Sequence, residues 1–163
     1  MQLVRSGGST LPVKVGYTTY ALTAGSSNFV STSGIVSFGA SVISQNITVP
    51  ILNDRVIDPT RQFSLELISA SGDAWLGDKV TTVVNILDTN TPPSFTGQPV
   101  FLPNGTFQFQ FLCSTGLVLT VEYSTNLLNW QPLQTFTNAT TVTTFADTNA
   151  IGRVNSFYRV AVP

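Results

Sequence analysis

The sequence contains no histidine. That removes the commonest general base, the usual zinc ligand and every Ser/His/Asp or Cys/His arrangement. A single cysteine, Cys113, excludes an internal disulfide and any multi-cysteine metal site. Charge is scarce as well: 9% of the 163 residues are charged, against roughly 25% in an average globular domain. The net charge of −1, with no basic run, supplies no field for nucleic acid or acidic membranes. No stretch approaches the about 20 apolar residues of a membrane helix. Met1 leads straight into a strand-like segment, without a signal-peptide pattern. A carboxylate-pair mechanism would have to draw on Asp54, Asp58, Glu66, Asp73, Asp78, Asp88, Glu122 and Asp147. These acids are scattered or gather around one set of loops, so the expectation is a protein that is not an enzyme.

Apolar residues make up 42% of the chain, enough for a real core. Surface polarity must then come from Ser, Thr, Asn and Gln, a composition suited to an extracellular or cell-surface setting. Helical periodicity is missing, while period-two alternation recurs. Leu11, Val13, Val15 and Tyr17 share one face of a first run. Ile47, Val49 and Ile51 share another, Phe63, Leu65 and Leu67 a third, and Val84 and Ile86 lead a fourth. Ser, Gly, Asn, Asp and Pro clusters separate these runs at short intervals, which predicts a sandwich or barrel.

Asp88-Thr89-Asn90-Thr91-Pro92-Pro93-Ser94 interrupts the series. Paired prolines favour a stiff, extended connector, so a domain boundary is expected there. New runs then follow at Phe107/Phe109/Phe111, Leu117 to Tyr123, Thr141 to Phe145 and Phe157 to Val162. Pro103-Asn104-Gly105 predicts a tight turn before the Phe-rich strand. Alternation places Cys113 on the apolar face with Phe107, Phe109 and Phe111, as a buried thiol. The fold class expected is all-β, with two tandem sandwiches of immunoglobulin or fibronectin III type: residues 1–90, a Pro-rich linker at 91–95, and 96–163.

Residues 2–90 resemble a Calx-β domain, the calcium-linked immunoglobulin-like sandwich. The resemblance rests on ordered segments: Val4-Arg5-Ser6-Gly7-Gly8 with Leu11 to Tyr17, the turn Thr23 to Phe29, and Gly34-Ile35-Val36-Ser37-Phe38. Ile47 to Asp54, Phe63 to Leu67 and Val84 to Asp88 complete it. In the family, acids in these loops hold calcium at one end of the sandwich, and oxygen count and charge tune affinity. Carried across, the resemblance implies a vestigial set of Asp54, Asp58 and Asp88 with the amide oxygens of Asn28 and Asn53. Asn28 stands where the family has an aspartate, and Arg61 where a further acid is expected. The set could share one weak calcium ion, or Arg55 and Arg61 could fill the gap and neutralise the acids. The depleted charge favours no functional calcium site, hence no cofactor beyond weak calcium. The resemblance also implies that most of a first strand lies outside these residues. That would leave a sheet edge open to a strand from upstream sequence or another chain.

Residues 96–163 resemble a short fibronectin III-like module found at the C-termini of Verrucomicrobia-type secreted proteins. Val121 to Trp130 and the ending Phe157-Tyr158-Arg159-Val160 carry that resemblance. Asn126 to Trp130 is expected to form a helical turn that drops Leu127 and Trp130 onto the core. Arg159 is placed to stack on an aromatic ring, or to pair with Glu122 or Asp147. Trp75, in Gly72-Asp73-Ala74-Trp75-Leu76-Gly77, is expected to cap the end of the first core or touch the linker. The competing role is a stacking platform for a sugar. The function implied is a non-catalytic structural or interaction region of a large exported bacterial protein, serving adhesion or surface display. Its partners would be other modules of the same polypeptide or surface proteins, with no nucleic acid and no membrane. The alternatives are a carbohydrate-binding accessory module of a secreted enzyme and a weak calcium-binding module.

Overall fold

Alternation with frequent turn residues produces strands throughout. A computed structural model describes residues 1–153 and 155–163, and among them every regular element is a β-strand. No helix among the described residues is long and apolar enough to cross a membrane. The chain divides into two compact units. Unit 1 comprises Met1–Asp54 and Asp58–Asp88; unit 2 comprises Arg55–Ile57 and Thr89–Pro163.

Unit 1 contains β1 (Gln2–Val4), β2 (Val13–Ala21), β3 (Ser33–Phe38), β4 (Ser44–Asn46), β5 (Arg61–Ser71) and β6 (Thr81–Ile86). A four-stranded antiparallel sheet has the order β3-β2-β5-β6, and β1 pairs with β4 in a separate two-stranded sheet. Two apolar clusters fill the unit. Val13, Val15 and Phe38 gather Leu3, Leu67, Ala74 and Leu76 around one of them. In the other, Phe29 stacks on Phe63 at 4.4 Å, with Ala24, Val49, Val84 and Ile86 around them. Burying each such ring contributes about 2–3 kcal/mol.

The expected inward faces hold except at their ends. Leu11 is 52% exposed because β2 begins only at Val13. Ile51 is 51% exposed because β4 ends at Asn46, leaving Ile51 only an isolated bridge to Phe29. The β2–β5 register shifts between Gly16 and Tyr17, so Ile68 is skipped in the pairing and turns outward. A Cβ at position 16 would run into Ser69 Oγ, so a larger residue there would make that hydroxyl rotate away.

Unit 2 contains β7 (Ser94–Phe101), β8 (Phe107–Leu112), β9 (Val118–Ser124), β10 (Gln131–Thr137), β11 (Val142–Asp147) and β12 (Phe157–Ala161). Its two antiparallel sheets have the orders β11-β8-β7 and β10-β9-β12. Phe109, Phe111, Cys113, Leu117, Leu119, Val121 and Phe145 form the core, as alternation predicted for β8 and β9. Phe109 is its hub, with Phe95, Phe145 and Tyr158 rings at 5.3, 5.4 and 5.7 Å. The Pro-rich stretch is shorter as a connector than the sequence suggests. Ser94 and Phe95 already belong to β7, and Thr91 exchanges hydrogen bonds with Ser114. An edge strand tolerates this, because prolines before it and Pro99 within its irregular stretch remove no ladder donor that a neighbour needs.

Candidate functional site

The four-stranded sheet brings three separated aspartates to one end of unit 1. Arg61, the first residue of β5, pairs with Ile86, the last of β6, so Asp58 and Asp88 lie just beyond the same end. The end of β2 reaches there too: Ala24 N–H donates to Gln62 O at 2.8 Å, and Gln62 N–H to Thr23 Oγ1 at 2.8 Å. The following turn is closed by Asn28 and Phe29, whose N–H groups both donate to Gly25 O. Leu52 N–H then donates to Asn28 O, which sets Asp54 beside the turn.

Several polar groups at this end have defined partners. Asn28 is buried; its Oδ1 accepts from Gly25 N–H at 2.9 Å, and its Nδ2 donates to Asp54 Oδ2 at 2.8 Å. The Asp58 N–H donates to Asp88 Oδ2 at 2.8 Å. Arg61 donates to Asp58 Oδ1 at 2.7 Å, closing an ion pair three residues apart. The Arg61 hydrogen bond lowers the Asp58 pKa below its ordinary value; Arg61's charge and an Asn28 hydrogen bond add to this, against the effect of burial. Asn53 is exposed, immediately before Asp54. Arg55, at φ 60°, belongs to unit 2. The structure thus joins Asn28 to Asp54 and links Asp58 to both Asp88 and Arg61.

The Calx-beta domain family matches residues 1–90, more than half of the chain. The chain belongs to the Calx-beta family. Solved structures similar to it include the calcium binding domain CBD12 of CALX1.1, at 21% identity and a TM-score of 0.57, covering 91% of this chain and 67% of that one. CBD12 from CALX1.2 is similar at 19% identity and a TM-score of 0.54, over 89% of this chain and 65% of that one. The apo-form Calx CBD1 domain, at 27% identity and a TM-score of 0.51, covers 53% of this chain and 78% of its own. The chain therefore spans about two thirds of the length of each CBD12 structure. Its all-β architecture is that of two tandem β-sandwich domains. Calx-beta domains are non-catalytic modules that bind calcium in homologues.

As placed here, the side chains at this end of the Calx-beta chain are bonded to one another and to the backbone. Hard Ca²⁺ requires about six to eight oxygen ligands converging on one point. Here Asp58 Oδ1 is taken by Arg61, Asp88 Oδ2 by a backbone N–H, and the Asn28 amide oxygen by Gly25. Among the described residues, no three His, Cys, Asp or Glu side chains are grouped to hold a metal.

A second feature lies where β5 leaves the sheet, beside the start of β2. Leu3, Val4, Arg5, Leu11, Asp73 and Trp75 are among the walls of a groove of about 530 Å³. Trp75 is 87% exposed, so it does not cap the core as expected. Its neighbours explain why: Ala74 and Leu76 pack into the Val13/Val15/Phe38 cluster, and extended backbone turns the residue between them outward. That Ala-Trp-Leu alternation was the overlooked signal.

In unit 2 the expected helical turn at Asn126–Trp130 is absent, and Leu127 is 54% exposed at φ 62°. Ser124 Oγ accepts from the Asn126 and Leu127 N–H groups, and Asn126 Oδ1 accepts from those of Leu128 and Asn129. These side chains replace the carbonyls a helix would have used. Arg159 combines two of its expected roles: its Nε donates to Glu122 Oε2 at 2.6 Å, and its Cζ sits 4.3 Å from the Trp130 ring centre. The sequence reading missed a groove of about 430 Å³ lined by Phe95, Phe107, Phe109, Trp130, Phe157 and Tyr158. The density of aromatics in both terminal runs was the signal for it.

Proposed function

We propose that this chain is a non-catalytic structural and interaction region of a large exported bacterial protein, acting in adhesion or surface display. It works outside the cell or at its surface, beside other modules of its polypeptide or surface proteins. Unit 2 serves as a fibronectin III-like module of the Verrucomicrobia type. The observation that supports this reading most is the unit 1 groove, which runs beside β1 and is rimmed by an exposed indole. Among the described residues strand β1 pairs with β4 alone, which leaves its other edge without a strand neighbour there, an edge suited to an extended segment. Beads coated with the chain are expected to adhere to the producing cells' surface. Val4→Lys, which puts a charge on the groove wall, should abolish that adhesion. Equal adhesion by both proteins, or none by the wild type, would contradict the reading.

The exposure of Trp75 favours carbohydrate recognition as a second reading, with the indole stacking on a sugar face and Asp73 bonding its hydroxyls. Wild-type retention on a polysaccharide panel, lost in Trp75→Ala, is its expected outcome. Absence of retention by the wild type would end it.

A further inference from the structure

Three carboxylates at one end of a sandwich need a positive partner. In unit 1 that partner is part of the chain. Arg61 stands at the first position of β5 and bonds Asp58 at 2.7 Å. Its charge also interacts with Asp54. The Arg61 Nε is enclosed and lacks a hydrogen-bond partner, while the side chain as a whole stays 35% exposed, so the guanidinium sits at the rim of this end. Asn28 supplies a second source of positive charge density by donating its amide to Asp54. A backbone N–H does the same for Asp88.

We infer that Arg61 is the resident cation of this end, holding it together in place of a divalent ion and making unit 1 independent of calcium. Two physical consequences follow from the geometry. A divalent ion approaching Asp58 would meet a guanidinium already bonded to the same carboxylate. It would also find the Asn28 oxygen committed to Gly25, so the oxygens it needs are neither free nor convergent. An arginine is suited to the role because it stays charged at every accessible pH, and its fork of donors can serve more than one acceptor.

Thermal unfolding of the full chain in chelator and in millimolar calcium tests this inference. An ion that binds only the folded state raises the midpoint. Wild-type protein is expected to unfold at the same temperature in both conditions. Arg61→Gln removes the internal cation without adding charge; its midpoint should fall in chelator and rise by about 4 °C or more when calcium is added. Arg61→Glu adds a carboxylate and should show the larger calcium response, including folding only in its presence. Should Arg61→Glu fail to fold in both conditions, Arg61→Gln carries the comparison. A calcium-dependent rise in the wild type would overturn the inference. So would an Arg61→Gln protein whose midpoint matches the wild type and ignores calcium.

Discussion

Asp147 is a buried carboxylate with three donors directed at it: the Arg153 guanidinium, the Tyr158 hydroxyl at 2.9 Å and the Asn149 N–H at 3.0 Å. Arg153 in turn lies 4.1 Å over the Tyr123 ring. Desolvation, followed by the bond to Asp147 and its negative charge, raises the Tyr158 pKa above the ordinary tyrosine value. Because the folded value is the higher one, the protonated phenol is the form that stabilises the fold. That contribution is complete below the ordinary value of about 10 and is lost as pH rises through the folded value. Subtracting the ultraviolet titration of Tyr158→Phe from that of the wild type should leave a phenolate step above the ordinary range, and in urea the step should return to it. A step at the ordinary value in the folded protein would refute the assignment. Of this partnership the sequence reading had only Asp147 as a candidate acceptor for an arginine. The sequence reading offered Arg159 either Glu122 or Asp147; Arg159 bonds Glu122, and Arg153 takes Asp147. Which of two arginines meets a carboxylate depends on strand register, which composition does not specify.

Register is set at the level of strands and turns, and there the sequence was more informative. Asn104-Gly105 was expected to turn the chain, and it does. Phe101 pairs with Phe107, Leu102 N–H donates to Thr106 O at 2.8 Å, and the Asn104 side chain accepts from Thr106 N–H at 3.1 Å. Gly105 adopts φ 83°, and a Cβ there would sit 2.8 Å from the Ile151 side chain. Gly105→Ala is therefore expected to cost about 1–2 kcal/mol from backbone strain alone, lowering the unfolding midpoint of unit 2 by several degrees. An unchanged midpoint would show that the turn relaxes freely. Alternation was readable along β8 because Phe107, Phe109, Phe111 and Cys113 continue one face without interruption. It failed at Leu11 and Ile51, where a strand ended before its pattern did. It failed again at Leu127, where Ser124 and Asn126 side chains took the backbone donors. Trp75 was misplaced for a related reason: average burial of a large indole was weighed above the alternation of its neighbours.

At the scale of the whole chain, two units each carry their own apolar core. The all-β, two-sandwich organisation was legible because turn clusters recur at short intervals and a proline pair separates two series of strands. The fate of the acid end was only half legible. The sequence placed Asp54, Asp58, Asp88, Asn28 and two arginines in neighbouring loops. It could not say that Arg61 would bond Asp58, since that depends on Arg61 opening β5 beside the last residue of β6. The central claim is that this end of a Calx-beta domain is closed by its own guanidinium and amide donors, with no ion required. Backbone amide NMR spectra recorded in chelator and in millimolar calcium test it most directly, through the Gly25 and Asp58 N–H groups that bond Asn28 and Asp88. Both resonances are predicted to keep their positions on adding calcium. Movement of either, saturating with calcium concentration, would contradict the account.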